Sequence, residues 1–137
     1  MNSLFSKPLK DATVQDIQLE LIRRSSFNSF DGERIIKTLL RHRDIWQAAL
    51  VDRIHISRPG KLPLSGLIKL RDLDDNLWNA DTLYILTPDR NCAHKLVTVA
   101  KEDRWGGEEH IFDDPEEVDM ALGGAERGQA VVRFWWD

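Results

Sequence analysis

Carboxylates are concentrated between residues 102 and 119, where nine Asp and Glu side chains surround a short glycine-rich stretch. An aromatic ring, Trp105, sits between the first carboxylates of this segment and the next ones. An aromatic side chain ringed by charge is a common composition of protein-binding surfaces. The alternative is a solvated loop whose Trp105 folds back over the sheet. The candidate partner-binding residues are Glu102, Asp103, Trp105, Glu108 and Glu109.

Metal-ligating and nucleophilic residue types are present, but not at the spacings that metal centres or catalytic sites require. Cys92 and His94 lack a second pair of ligands at the spacing of structural zinc sites. The segment that begins at Asp72 starts like a calcium-binding loop, but its sixth position is Leu77, where such a loop needs glycine. No nucleophile has a base and an orienting residue at a recognisable spacing. We therefore expect no catalytic residue, no metal site and no cofactor.

Charge is divided unevenly along the chain, although the whole sequence carries a net charge of only −4. Residues 1–71 hold 13 Lys and Arg against 7 Asp and Glu, a net charge of +6. Residues 72–137 hold 6 against 16, a net charge of −10. Two explanations stay open: the basic and acidic halves neutralise each other within one molecule, or the acidic half presents an exposed face to a basic partner.

A basic stripe is predicted on the second helix, where Arg34, Lys37 and Arg41 follow each other at helical spacing. Such a stripe could meet phosphates. However, the chain is acidic overall, and the stripe has neither interleaved aromatic residues nor a nucleic-acid-binding signature. The sequence therefore favours a solvated face over nucleic-acid binding.

Composition indicates one globular domain spanning residues 1–137, since 42% of the residues are hydrophobic, 31% are charged and no linker-like stretch occurs. Residues 1–12 are expected to be a loosely ordered N-terminal segment. The single cysteine, Cys92, suits a reducing compartment. Neither a signal peptide nor a run of membrane-spanning length is visible. These features predict a cytoplasmic protein that has no membrane partner.

Apolar residues at helical spacing predict two helices in the N-terminal part. The first covers Val14–Arg24, with Thr13 as its N-cap. After a break at residues 25–32, a second apolar stripe extends toward Asp52. Residues 41–44 interrupt this stripe with charge. The sequence leaves open whether residues 33–52 form one helix or two.

Runs of β-branched and aromatic residues predict strands in the second half. Residues 82–87 and 95–100 form two such runs, and the turn residues between them favour an antiparallel hairpin. Residues 129–136 are the strongest candidate and are expected in the interior of the sheet. Residues 65–73 fit either a short strand or a helical turn, with a weak preference for the strand.

A short helix is predicted before the last strand, because Asp114 and Pro115 form a helix start and Gly123 follows the apolar residues. The order of elements predicts an α+β fold. Two N-terminal helices pack on one face of a mostly antiparallel sheet of about four to five strands, with that short helix before the last strand.

Three classes of function are compatible with this fold. The favoured one is a small interaction protein of the inhibitor or immunity kind, which binds a basic protein through its acidic C-terminal half. The second is a small-molecule-binding domain or enzyme with an apolar pocket, lined by tryptophans, between a curved sheet and the helices. The third is nucleic-acid binding through the basic helical half.

Overall fold

The computed structural model describes residues 6–53, 59–62, 70–124 and 127–137 and has an α+β architecture. Short 3₁₀ turns occupy Leu9–Asp11, Arg43–Ile45 and Leu70–Asp75. The helices and strands, in chain order, are α1 (Val14–Arg24), α2 (Gly32–Arg41), β1 (Ala48–Asp52), β2 (Thr82–Thr87), α3 (Arg90–Glu102), β3 (Glu108–Phe112), α4 (Pro115–Leu122) and β4 (Ala130–Trp135). None of the helices in these ranges combines the length and the apolar composition that a bilayer crossing requires.

The four strands form one antiparallel sheet in the order β1-β2-β4-β3. The last strand, β4, therefore lies in the interior of the sheet, as its dense β-branched and aromatic sequence predicts. Both β1 and β3 are edge strands. The α+β class and the antiparallel sheet expected from the sequence are confirmed.

One face of the sheet carries the core. Alternate residues of β2 and β4 point to this face, and Leu83, Ile85, Val132 and Phe134 are at most 2% exposed. Buried side chains of α1, α2 and α3 belong to the same apolar cluster. The two N-terminal helices thus share this face with a third helix, α3.

Helix α4 lies on the opposite face of the sheet. Its one buried residue, Val118, borders a hollow of about 190 Å³ together with Tyr84, Phe112 and Val131. These three strand residues belong to the outward-facing set, because they alternate with the core residues along their strands. The outer face is therefore covered by α4 at the end where β3 finishes.

Helix α1 spans the predicted residues Val14–Arg24 and begins with a complete capping box. The Thr13 hydroxyl accepts from the amide of Asp16, whose carboxylate accepts from the amide of Thr13. The hydrogen bonds from Lys7 and Thr13 lower the pKa of the Asp16 carboxyl. Later in the helix, the Arg23 guanidinium likewise lowers the pKa of Glu20.

The stretch 33–52 forms one helix followed by a strand, so neither helical alternative is correct beyond residue 45. Helix α2 ends at Arg41, inside the charged interruption at 41–44, and the chain then enters β1. Burial alternates in β1, where Ala49 and Val51 face the core. Trp46 fixes this change of direction because its indole Nε1 donates to the carbonyl of Leu39 at 2.8 Å.

The predicted strand at residues 95–100, and with it the predicted hairpin, is wrong. These residues lie in the middle of α3, and β2 pairs with β1 and β4. Asp89 caps the helix by accepting from the amide of Cys92, which also lowers the pKa of the Asp89 carboxyl. Ala93, Leu96 and Ala100 are buried at helical spacing. Packing on the sheet outweighs the β-branched content of this run.

Two further predictions concern irregular or short elements. Of the tentative strand at 65–73, residues 65–69 lie outside the described ranges, and residues 70–73 belong to a 3₁₀ turn. The short helix after Asp114 is confirmed, with Pro115 at its start and Gly123 in the left-handed conformation at its end. However, the Asp114 side chain makes no capping hydrogen bond.

Candidate functional site

The five candidate residues between 102 and 109 are spread over a helix end, a turn and a strand. Glu102 is the last residue of α3, and Asp103 is its C-cap. The chain turns through Arg104, which has a φ of 57°, and enters β3 at Glu108. The segment is therefore held at both ends by regular structure, and the candidate side chains differ in their surroundings.

Trp105 is a core residue, which corrects the expectation of an exposed aromatic anchor. Its side chain is 3% exposed, and its ring packs edge-to-face on Phe134 with centroids 4.8 Å apart. Its Nε1 donates to the hydroxyl of Thr38 at 3.0 Å, and its carbonyl accepts from the indole of Trp136 at 2.7 Å. The alternative of a Trp105 that folds back over the sheet describes the observed structure.

Two of the four candidate carboxylates are held by cations of the same chain. Asp103 accepts from the Thr38 hydroxyl and pairs with the guanidinium of Arg41. Glu109 pairs with Lys101 of α3, with 3.1 Å between the ammonium nitrogen and the carboxylate. Glu102 and Glu108, in contrast, are exposed and form no ion pair within the described ranges.

We expect Asp103→Ala to lower the free energy of unfolding by about 1–2 kcal/mol. The substitution removes the carboxylate acceptor of the buried Thr38 hydroxyl, which also accepts from the indole of Trp105, and leaves it the more distant carbonyl of Arg34 at 3.3 Å. It also leaves Arg41 without its ion pair. Urea unfolding measures the effect. Glu102→Ala is the matched control and should change the stability by less than about 0.5 kcal/mol. Equal losses in both variants would contradict a structural role of Asp103.

The two halves of the chain do not neutralise each other extensively. Within the described residues, Arg41–Asp103 is the one ion pair that joins the basic half to the acidic half. The other ion pairs formed by cations of the N-terminal half stay within that half, as those of Arg23 with Glu20 and Glu33 do. Internal pairing therefore leaves much of the acidic half without cation partners.

Within the described residues, three further acidic side chains without a cation partner lie at the start of α4, where the sequence predicts a helix N-terminus. Asp114, Glu116 and Glu117 are exposed and have no cation partner among the residues described. Met120, one helical turn after Glu116 and Glu117, is 82% exposed. We call these four residues the α4 acidic surface.

The outward position of Met120 follows from the geometry of the helix. Val118 faces the sheet, and Met120 lies about 200° further around the helix, on the same side as Glu116. This spacing is readable in the sequence, but only after it is known that Val118 is the residue that packs on the sheet. An exposed, flexible methionine is typical of protein-binding surfaces.

Comparisons with protein family models, curated proteins and solved structures find no match.

The basic stripe on α2 borders a surface cleft of about 370 Å³. Three cations line it, but so do Asp31, Glu33 and Asp103. Arg34 donates to the carbonyl of Arg104, and Arg41 is held by Asp103. The cleft thus balances its charges internally and offers phosphates no net positive field.

Three of the five tryptophans expected to line an apolar pocket instead fill the core, and Trp78 and Trp135 are half-buried. Trp46, Trp105 and Trp136 are at most 3% exposed, and they pack between the sheet and the helices. The apolar hollow under α4, at about 190 Å³, is smaller than the usual ligand pocket of about 300–1,000 Å³. The hollow under α4 therefore gives little support to a small-molecule site there.

Groups suited to catalysis or metal binding are dispersed in the described part of the chain, where no three His, Cys, Asp or Glu side chains come together to hold a metal. Partial burial, and next the nearby Asp89, raise the pKa of the Cys92 thiol. An activated nucleophilic cysteine needs a lowered pKa. The surroundings of Cys92 thus oppose the reactivity that a catalytic thiol requires.

Proposed function

We propose that this chain is a small cytoplasmic interaction protein of the inhibitor or immunity kind, which binds the basic surface of another protein through its acidic C-terminal half. The observation that carries the proposal is the α4 acidic surface, where Asp114, Glu116 and Glu117 are exposed and have no cation partner among the described residues. Met120 is exposed one helical turn after the two glutamates. Unpaired surface carboxylates steer a basic partner, and an exposed apolar side chain beside them supplies contact area once the two proteins meet.

The proposal moves the binding surface from the turn at Trp105 to α4 and keeps the exposed Glu102 and Glu108 as peripheral charges. Asp103, Glu109 and Trp105 are engaged in contacts within the chain. A free cysteine, Cys92, agrees with a reducing compartment such as the cytoplasm.

We expect Glu116→Gln/Glu117→Gln to reduce capture of the partner from native extract about tenfold at low salt, because association is steered by charge. Moderate salt should weaken capture by the unsubstituted protein in the same way. The matched control is Asp74→Asn/Asp75→Asn, which removes two exposed carboxylates from a 3₁₀ turn and changes the net charge equally.

Capture that is retained by the α4 variant would contradict the proposal. So would an equal loss in both variants, because net charge alone would then explain the binding. Thermal unfolding of both variants should match that of the unsubstituted protein, since exposed, unpaired carboxylates contribute little to stability.

A further inference from the structure

The two edges of the sheet differ in how their outward backbone groups are satisfied. On β1, the side-chain amide of Gln15 accepts from the amide of Ala49 at 2.8 Å and donates to its carbonyl at 2.9 Å. Gln18 accepts from the amide of Val51 at 3.0 Å. Two glutamines of α1 thus occupy this edge as a further strand would.

On the opposite edge, the backbone groups of Glu109 and Ile111 point away from the sheet. Backbone groups in an antiparallel ladder alternate between the two sides of a strand. The backbone N–H and C=O of Ala49 are bonded to Gln15, so the backbone groups of its neighbour Leu50 point to β2. The register carries this alternation across the sheet through the pairs Leu50–Tyr84, Ile85–Val132 and Arg133–His110. Since the backbone groups of His110 point to β4, those of its neighbours Glu109 and Ile111 point away from the sheet.

The outward groups of Glu109 and Ile111 have no hydrogen-bond partner within the described ranges. In the part of the chain that the structure describes, β3 pairs with β4 and with no other strand. None of the side-chain or turn hydrogen bonds in those ranges reaches either backbone. An unpaired edge of this kind is a template for the addition of a strand.

Charge at both ends of β3 selects the strand that can be added. Exposed Glu108 begins β3, and exposed Asp114 and Glu116 follow shortly after its end. Like charges along an edge oppose pairing with a second copy of the same edge. An extended segment with basic residues has the complementary charge.

From this contrast between the two edges, we infer that the partner adds an extended basic strand to β3, with backbone hydrogen bonds to Glu109 and Ile111. The inference rests on the proposed function, because it takes the partner to be basic. It adds the mode of binding: main-chain hydrogen bonds at β3 and charge contacts at its two ends.

The test uses a synthetic peptide of alternating lysine and valine, with capped ends, as the probe. Amide hydrogen exchange of the intact protein is followed by NMR with and without the peptide. We expect the exchange of the Glu109 and Ile111 amides to slow about tenfold or more, while the amide of Ala49 is unaffected. Two further peptides carry N-methyl groups on either the lysines or the valines. Strand pairing uses only one of these sets of amides, so one methylated peptide should bind and the other should not.

A binding peptide that leaves the exchange of Glu109 and Ile111 unchanged would overturn the inference while leaving the α4 acidic surface intact. Equal binding of both methylated peptides would also overturn it. If the peptide slows the exchange of the Glu109 and Ile111 amides but the Glu116→Gln/Glu117→Gln variant still captures the partner, strand addition to β3 is supported and binding through the α4 acidic surface is rejected. A concentration-dependent dimer that protects the same two amides without peptide would show that a second copy fills the edge, against the inference.

A pair of variants separates the backbone from the side chain. Glu109→Pro removes the outward amide hydrogen, and proline is tolerated on edge strands. Glu109→Gln removes only the charge and the ion pair with Lys101. We expect the proline variant to lose peptide binding about tenfold relative to the glutamine variant. Equal affinities, with the fold verified by NMR, would count against strand addition.

Discussion

Gly32→Ala should lower the free energy of unfolding by about 3 kcal/mol or more, a large effect for one added methyl group. Gly32 is the first residue of α2 and lies against the end of α1. A Cβ atom built on it would overlap the carbonyl oxygen of Ile22 and lie 2.7 Å from that of Ser25. Both are backbone atoms, so no side-chain rotation relieves the clash.

The added methyl group should push α2 away from α1, and this displacement should extend into the core. The amide of Gly32 donates to the carbonyl of Ser25 at 3.0 Å, a bond that holds the two helices together. Ile22, near the end of α1, and Ile35, in the first turn of α2, are fully buried in the same apolar cluster. Moving α2 away from α1 therefore opens apolar contacts as well as a hydrogen bond.

Urea unfolding followed by far-UV circular dichroism checks this expectation. Gly124→Ala is the matched control, because no heavy atom lies within 4 Å of its Cβ position and its φ is not in the left-handed region. The control should change the stability by less than about 0.5 kcal/mol. Unfolding midpoints that coincide for the two variants would disprove the close contact between α1 and α2.

Trp105→Ala should lower the free energy of unfolding by about 3–5 kcal/mol. The substitution empties the space beside Phe134 and removes the donor that the indole supplies to Thr38. The Thr38 hydroxyl also donates to Asp103, so the loss reaches the C-cap of α3. Trp136 is affected as well, because its indole donates to the backbone of Trp105. We therefore expect loss of folded protein rather than faster dissociation from a partner.

Met120→Ala is the control that separates an effect on folding from an effect on partner binding. Met120 is 82% exposed, so its truncation should leave the unfolding transition within about 0.5 kcal/mol of that of the unsubstituted protein. Trp105→Phe keeps much of the packing but loses the hydrogen bond to Thr38, and it should fall between the two. A Trp105→Ala variant with full stability and impaired capture would restore Trp105 as a binding residue.

The sequence alone determined the elements whose signals are local. The capping box at Thr13 and Asp16 predicted where α1 begins, because it satisfies helix amides with side chains only three residues apart. Dense β-branched and aromatic residues predicted β4 in the interior of the sheet. The proline at position 115 and the glycine at 123 predicted the bounds of α4. Each of these features acts within one or two turns of chain.

Elements with ambiguous local signals were decided by packing. Residues 95–100 have strand-forming side chains, yet they form helix α3 because Ala93, Leu96 and Ala100 then face the sheet. Likewise, the stripe that continued the second helix became β1 once Ala49 and Val51 alternated against the core. In both places the burial of apolar surface outweighs the intrinsic preference of the backbone.

The candidate binding surface was likewise determined partly by the sequence and partly by the tertiary structure. Composition located the excess of carboxylates, but it could not show which ones are neutralised, because an ion pair such as Arg41–Asp103 joins residues far apart in the chain. Only the tertiary structure buries Trp105 and exposes Met120. It also closes the β1 edge with two glutamines, while the β3 edge has no partner among the described residues. Burial and edge pairing depend on contacts between distant segments, which side-chain type and spacing do not specify.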